Sequence, residues 1–154
     1  MGWFPGNAER VFANVKQVKL YPRLSVDVSR RVRQLANSVL GCIGIKSGKR
    51  IAKHMPTLVG PWLAGLYDSD TTVSRTTADS LVKVFKAEDK LKNIWNLYES
   101  TILDYCNNII SNESVYTLSD ERSVSPDDAE AKYARVMATA VMCATRLICV
   151  LVDP

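Results

Sequence analysis

Apolar residues recur at helical spacing along most of this chain, and no stretch alternates as a half-buried strand would. Leu91, Ile94, Trp95, Tyr98, Ile102, Tyr105 and Ile109 show the clearest periodicity and predict one long helix with an inward face. Val28, Val32, Leu35, Val39 and Ile43 predict another inward stripe, with Gly44, Ser47 and Gly48 as the loop that follows. A third helix is expected from Lys49 to Leu66, facing inward through Ile51, Met55, Leu58, Val59, Trp62, Leu63 and Leu66. Pro56 and Pro61 should kink or break it. Val73, Thr77, Leu81, Val84 and Phe85 define a fourth helix, Val73 to Lys86. Ahead of these, Val11, Phe12, Val15 and Val18 suggest a short amphipathic helix over 7–19, which Tyr21-Pro22 should end.

Residues 111–125 are polar and aperiodic and read as a surface loop. Ser125-Pro126-Asp127-Asp128 then forms a helix start. Serine caps, proline takes the first helical position, and the aspartates meet the positive end of the dipole. Tyr133, Val136, Met137, Ala140, Val141, Ala144, Leu147, Ile148 and Leu151 are expected inward on a long helix, 126–152. It is apolar over much of its circumference, which predicts a place between other helices.

Two of these helices begin alike. Asp27 stands five residues before Val32, and Asp68 five before Val73, the two pairs lying 41 residues apart. An acidic turn followed by a helix, recurring at about 40–47 residues, is the signature of HEAT-type repeats. The predicted fold is therefore all-α, with antiparallel HEAT/armadillo-like repeats in one domain over 1–154, and repeat turns near 24–28 and 65–70. Such units bury their apolar faces only by stacking, and the stack presents an extended binding surface. In repeats of this kind the arginine after the motif valine, here Arg33, pairs with the turn aspartate, here Asp27.

Charge changes the picture next. Residues 1–60 carry eleven Lys or Arg against Glu9 and Asp27, a balance of +9, while the remainder carries nine basic and fourteen acidic residues, −5. Such asymmetry points to a polyanionic partner. Arg30 and Arg31 open one helix, and Lys46, Lys49, Arg50 and Lys53 surround the start of the next. Along one edge of a helix pair these six could contact phosphates; a solvated basic face is the alternative.

Catalytic chemistry finds little support. His54 has no neighbouring nucleophile or acid at helical spacing. Gly44 to Lys49 lacks the spacing and hydroxyl of a phosphate-binding loop. Cys42, Cys106, Cys143 and Cys149 show no paired spacing and read as reduced, buried thiols of an intracellular, cytoplasmic protein. The segment 136–152 contains Arg146 and reads as a buried helix, not a membrane span. The N-terminus lacks a secretion signal, and Gly6 stands where myristoylation wants Ser or Thr. No metal, cofactor or small-molecule substrate is expected.

Four runs carry a resemblance: Lys19-Leu-Tyr-Pro-Arg-Leu-Ser-Val-Asp-Val-Ser-Arg-Arg-Val-Arg-Gln34, Gly48-Lys-Arg-Ile-Ala-Lys-His-Met-Pro56, Gly60-Pro-Trp-Leu-Ala64, and Thr117-Leu-Ser-Asp-Glu-Arg-Ser-Val-Ser-Pro-Asp-Asp-Ala-Glu-Ala-Lys-Tyr133. Over 19–152 the chain resembles the N-terminal region of Listerin, the ubiquitin ligase of ribosome-associated quality control, in a fungal form. Residues 1–18 do not match the expected sequence. The resemblance implies a long HEAT-repeat rod with a C-terminal RING domain acting on nascent chains stalled on the large ribosomal subunit. It implies an N-terminal domain docked near the sarcin–ricin loop, close to the nascent-chain-tailing partner. A two-zinc RING cannot be assembled from four cysteines and one histidine, so what carries over is a non-catalytic docking module. The match at Thr117 to Ser125 predicts a loop that is ordered and packs back on the repeats. The competing expectation is an importin-like adaptor that takes a protein or peptide without RNA contact.

Overall fold

The computed structural model describes residues 16–153, so most of the helix expected over 7–19 lies outside the described residues. Residues 16–24 are helical (α1). They are followed by α2 (Arg30–Ser47), a 3-10 segment (Gly48–His54), α3 (Met55–Ala64), a 3-10 turn (Gly65–Tyr67), α4 (Thr71–Phe85), α5 (Glu88–Leu97), α6 (Glu99–Asn112), α7 (Val115–Leu118) and α8 (Pro126–Val152). No strand occurs among the described residues, and the architecture is an all-α stack of helical repeats.

α2 and α4 pack side by side and run parallel, as equivalent helices of successive repeats do. Gly41 faces Ser80 and Gly44 faces Val84, while near the other end Arg30 reaches Asp70. The offset of about 40 residues is the sequence repeat expressed in space. Gly44 is not a loop residue: α2 runs through it, and a Cβ there would lie 2.5 Å from the Val84 side chain. The small residue permits the close approach, and the chain turns only at Gly48, where φ is +52°.

The prolines interrupt 49–66 as expected. A 3-10 segment leads to α3, with Pro56 in its first turn and Pro61 inside it. From Leu58 to Ala64 every residue is buried, which makes α3 the central helix. Trp62 is fully enclosed, its ring tilted against Phe85 and its indole N–H donating to Ser80 Oγ at 2.8 Å. α6 and α8 form an antiparallel pair, with Ile109 against Val136 and Ala140, and Cys106 beside Cys143.

Several expectations are corrected. Pro22 does not end the first helix. α1 continues to residue 24, and buried Tyr21 donates its hydroxyl to Asn37 at 2.8 Å. The helix expected over 91–109 is two, because Tyr98 leaves the helical basin (φ −108°, ψ 23°). The bend lets α5 meet α4 while α6 packs on α3 and α8, which a straight rod could not do. Trp95 and Ile102 are buried, and Tyr98 is half-buried. On α2 the buried stripe is Arg33, Asn37, Leu40, Gly41, Ile43 and Gly44. Leu35 and Val39 instead stay exposed beside Tyr21 and Leu24. The 111–125 segment is not all loop: α6 extends to Asn112, and α7 is capped by the Ser114 and Thr117 side chains. Cys42 and Cys149 are exposed, whereas Cys106 and Cys143 are buried.

α8 starts as expected, with Ser125 Oγ accepting from Asp128 N. Its buried face is Ala129, Val136, Thr139, Ala140, Cys143, Leu147 and Val150. It is not sandwiched, for the opposite face is bare. Ala131, Ala134, Ala138, Val141, Met142, Thr145, Ile148, Cys149 and Val152 are all exposed, with Glu130 and Arg146 the only charged residues exposed between Ala129 and Val152. By length and composition α8 could cross a membrane, while its inner stripe packs on α3, α5 and α6.

Candidate docking surface

The two repeat turns share one hydrogen-bonding pattern. Asp27 Oδ1 accepts from Ser29 N at 2.8 Å, and Asp68 Oδ1 accepts from Asp70 N at 2.9 Å. Two residues on, Ser29 and Asp70 cap α2 and α4, their side chains accepting from Val32 N and Val73 N. The Asp-to-Val spacing of five is thus one turn aspartate, one cap and one first-turn valine. Val73 is buried at 1% exposure, whereas Val32 is only half-buried. Amide hydrogen bonds from Val73 and then Thr72, aided by Arg30, hold the Asp70 carboxyl below its usual value.

Arg33 does not pair with the Asp27 carboxylate. Its guanidinium makes a bidentate pair with Asp68, Nε to Oδ2 at 2.9 Å and Nη2 to Oδ1 at 3.1 Å. Nη1 donates to the carbonyls of Asp27 and Val28. Asp27 turns its carboxylate to Ser29 and offers Arg33 only its backbone. Both partners of the ion pair are about 5% exposed or less, so Arg33 ties one repeat turn to the next.

Arg135, which sequence reasoning missed, completes the knot from α8. Its Nη2 donates to Val26 O at 2.8 Å and Asp27 O at 3.0 Å. Burial, and then the positive charge of Arg33, lower its pKa. No spacing could have flagged it, since it lies 108 residues from Asp27. Lys132, one turn earlier, donates to Leu118 O at 2.6 Å, and burial lowers its pKa too. That bond, with Leu118 packed against Ile109, Val136 and Ala140, folds the 113–124 segment back on the helices.

Between that segment and the first repeat turn lies an open groove of about 970 Å³. Arg23, Asp27, Tyr116, Glu121, Arg122 and Lys132 line it. Ser119 sits at its base, with a buried hydroxyl that has no hydrogen-bond partner. The runs 19–34 and 117–133 therefore meet across one groove.

The six basic candidates do not share one edge. Arg30 and Arg31 are exposed at the start of α2, and Arg30 Nη1 reaches Asp70 at 3.5 Å. Lys46, Lys49, Arg50 and Lys53 are exposed at and beyond its other end, at least fifteen residues and so about 22 Å away. Arg50 Nε donates to Ser47 O at 3.4 Å. Because α4 runs parallel to α2, Lys83 and Lys86 emerge at this same end. Sequence reading passed over both, since only the packing brings them there. His54 is half-buried at the end of the 3-10 segment. Among the described residues no three His, Cys, Asp or Glu side chains converge as metal ligands.

A family model described as the N-terminal domain of the E3 ubiquitin-protein ligase listerin matches residues 13–153. The chain is 38% identical over 123 residues to the listerin of Neurospora crassa and 31% identical over 123 residues to that of Schizosaccharomyces pombe. In both cases 80% of this chain is covered. The listerin of Saccharomyces cerevisiae is 25% identical over 130 residues, covering 84%. The matched region spans about 8% of each relative's length.

Proposed function

This chain belongs to the listerin family as an N-terminal domain, and on that premise we propose that it is the module that docks the ligase on the large ribosomal subunit. The observation that carries the reading is the match over residues 13–153. The relatives are named E3 ubiquitin-protein ligases, and this chain's four cysteines and one histidine cannot supply the eight ligands of a two-zinc RING. Its part is positioning: it holds the ligase on stalled large subunits, in the cytoplasm and beside the nascent-chain-tailing partner, while ubiquitin transfer occurs elsewhere in the protein. The +9 charge of residues 1–60 supports a ribosomal partner. The largely apolar outer face of α8, where only Glu130 and Arg146 are charged and exposed beyond the first turn, supports a place in a longer rod, since a further helical repeat would cover it.

The groove between residues 23–28 and 113–124 favours a second reading, an adaptor that takes a protein segment. Its lining mixes both charge signs around the exposed Tyr116, as suits a peptide more than a phosphate backbone. Sedimentation of the purified chain with isolated large subunits, small subunits and whole ribosomes tests the first reading. Association with large subunits that weakens steeply with salt is expected. No association with large subunits would refute it. Salt-insensitive association lost on Tyr116→Ala would favour the second.

A further inference from the structure

Parallel stacking of α2 and α4 places both helix C-termini on one face of the molecule, and with them six cations from two segments of sequence. Lys46, Lys49, Arg50 and Lys53 come from the first, Lys83 and Lys86 from the second. All six are exposed. Gly44 lies against both Val84 and Ile51, which fixes the segments carrying these residues as neighbours. None of the six makes an ion pair among the described residues, where the ion pairs are Arg30–Asp70 and Arg33–Asp68. The acidic groups closest in sequence are Asp79, one turn before Lys83 on α4, and Glu88 and Asp89, in the first turn of α5.

The opposite end of the same helices differs. There Arg30 is joined to Asp70 and Arg33 to Asp68, and Arg135 is spent on the carbonyls of Val26 and Asp27. Among the described residues, two arginines at that end have carboxylate partners, although Arg31 is exposed and unpaired; at this end none of the six cations has one. Helix dipoles do not account for the unpaired end. Each C-terminus presents roughly half a negative charge, so two ends answer about one cation of the six. The Arg50 bond to Ser47 O is one such use. Even with Asp79, Glu88 and Asp89 set against the six, the cap keeps a net positive charge, which favours a polyanion.

We infer that this cap, Lys46, Lys49, Arg50, Lys53, Lys83 and Lys86, binds the phosphodiester backbone of structured RNA. The inference rests on the docking reading and locates its RNA contact at the end of α2 opposite Arg30 and Arg31. The exposed apolar neighbours, Ile45 and Val82, are aliphatic, and no exposed aromatic ring stands within the cap to stack on a splayed base. Recognition is therefore by backbone charge and is indifferent to base sequence.

The test uses the whole chain, a short RNA hairpin in fluorescence anisotropy, and isolated large subunits in sedimentation. The variant Lys46→Glu/Lys49→Glu/Lys83→Glu/Lys86→Glu should lose hairpin binding and subunit association, while Arg30→Glu/Arg31→Glu keeps both. The matching Lys→Gln variant, which puts no anion at a helix C-terminus, should flatten the plot of log Kd against log salt by about four units. Circular dichroism establishes that each variant is folded. Unchanged hairpin and subunit binding by the folded Lys→Gln variant would overturn the inference, as would binding to phosphatidylserine vesicles but not to the hairpin. If the parent binds the hairpin through the cap yet never sediments with large subunits, the docking reading falls and the cap stands.

Discussion

Replacing Asp68 by alanine should be among the most damaging single changes available in this domain. The carboxylate holds two of the guanidinium nitrogens of Arg33 at 2.9 and 3.1 Å, and the two side chains are 5% and 4% exposed. Without it, Arg33 is a buried charge served only by the carbonyls of Asp27 and Val28. Breaking a buried pair in this way costs about 3–5 kcal/mol. At this chain length 1 kcal/mol shifts Tm by about 2–4 °C, so a fall of roughly 6–20 °C is expected. Asp27→Ala is the informative control. The sequence reading pairs Arg33 with Asp27, whereas the structure leaves that carboxylate a single bond, from Ser29 N. Its loss should cost only about 0.5–1.5 kcal/mol. Thermal and urea melts followed by helix circular dichroism measure both variants. If Asp68→Ala melts within about 1 kcal/mol of the parent, or Asp27→Ala is the more damaging, the cross-repeat pairing is wrong.

Three further outcomes follow from the packing. Trp95→Ala, at a site 4% exposed, should cost about 3–5 kcal/mol in urea melts, as large-to-small core changes do; an unchanged midpoint would place the ring outside the core. Val141→Glu and Ile148→Glu, on the bare face of α8, should leave the melting of this chain within about 0.5 kcal/mol of the parent, and a large loss would mean that the face is packed. The Asp70 carboxyl is depressed on folding, so its contribution is present above the unfolded carboxylate range and lost as pH falls through the folded value. The stability advantage of the parent over Asp70→Asn should therefore shrink on acidification, and an advantage that grew would reverse the assignment.

Signals acting within a turn or two of helix were legible in the chain. The Asp–cap–Val turn, repeated after 41 residues, is satisfied by bonds spanning two or three residues, so its letters declare it. The Ser125 cap, the break ahead of Pro56 and the burial of Trp62 and Leu81 follow likewise from local chemistry and 3.6-residue periodicity. What only the tertiary structure decided depends on which helix lies against which. The partner of Arg33 is Asp68, 35 residues on, because the repeats stack turn on turn. Arg135 reaches the first turn across 108 residues because α8 happens to pass it. On α2, Leu35 and Val39 yield the inward face to Arg33 and Asn37, which bond to Asp68 and Tyr21, and to the glycines, which let α4 approach closely. The basic residues divide between two ends for the same reason. Charge is a property of the sequence, but its neighbours are set by parallel stacking, which brings Arg30 to Asp70 at one end and collects Lys83 and Lys86 at the other.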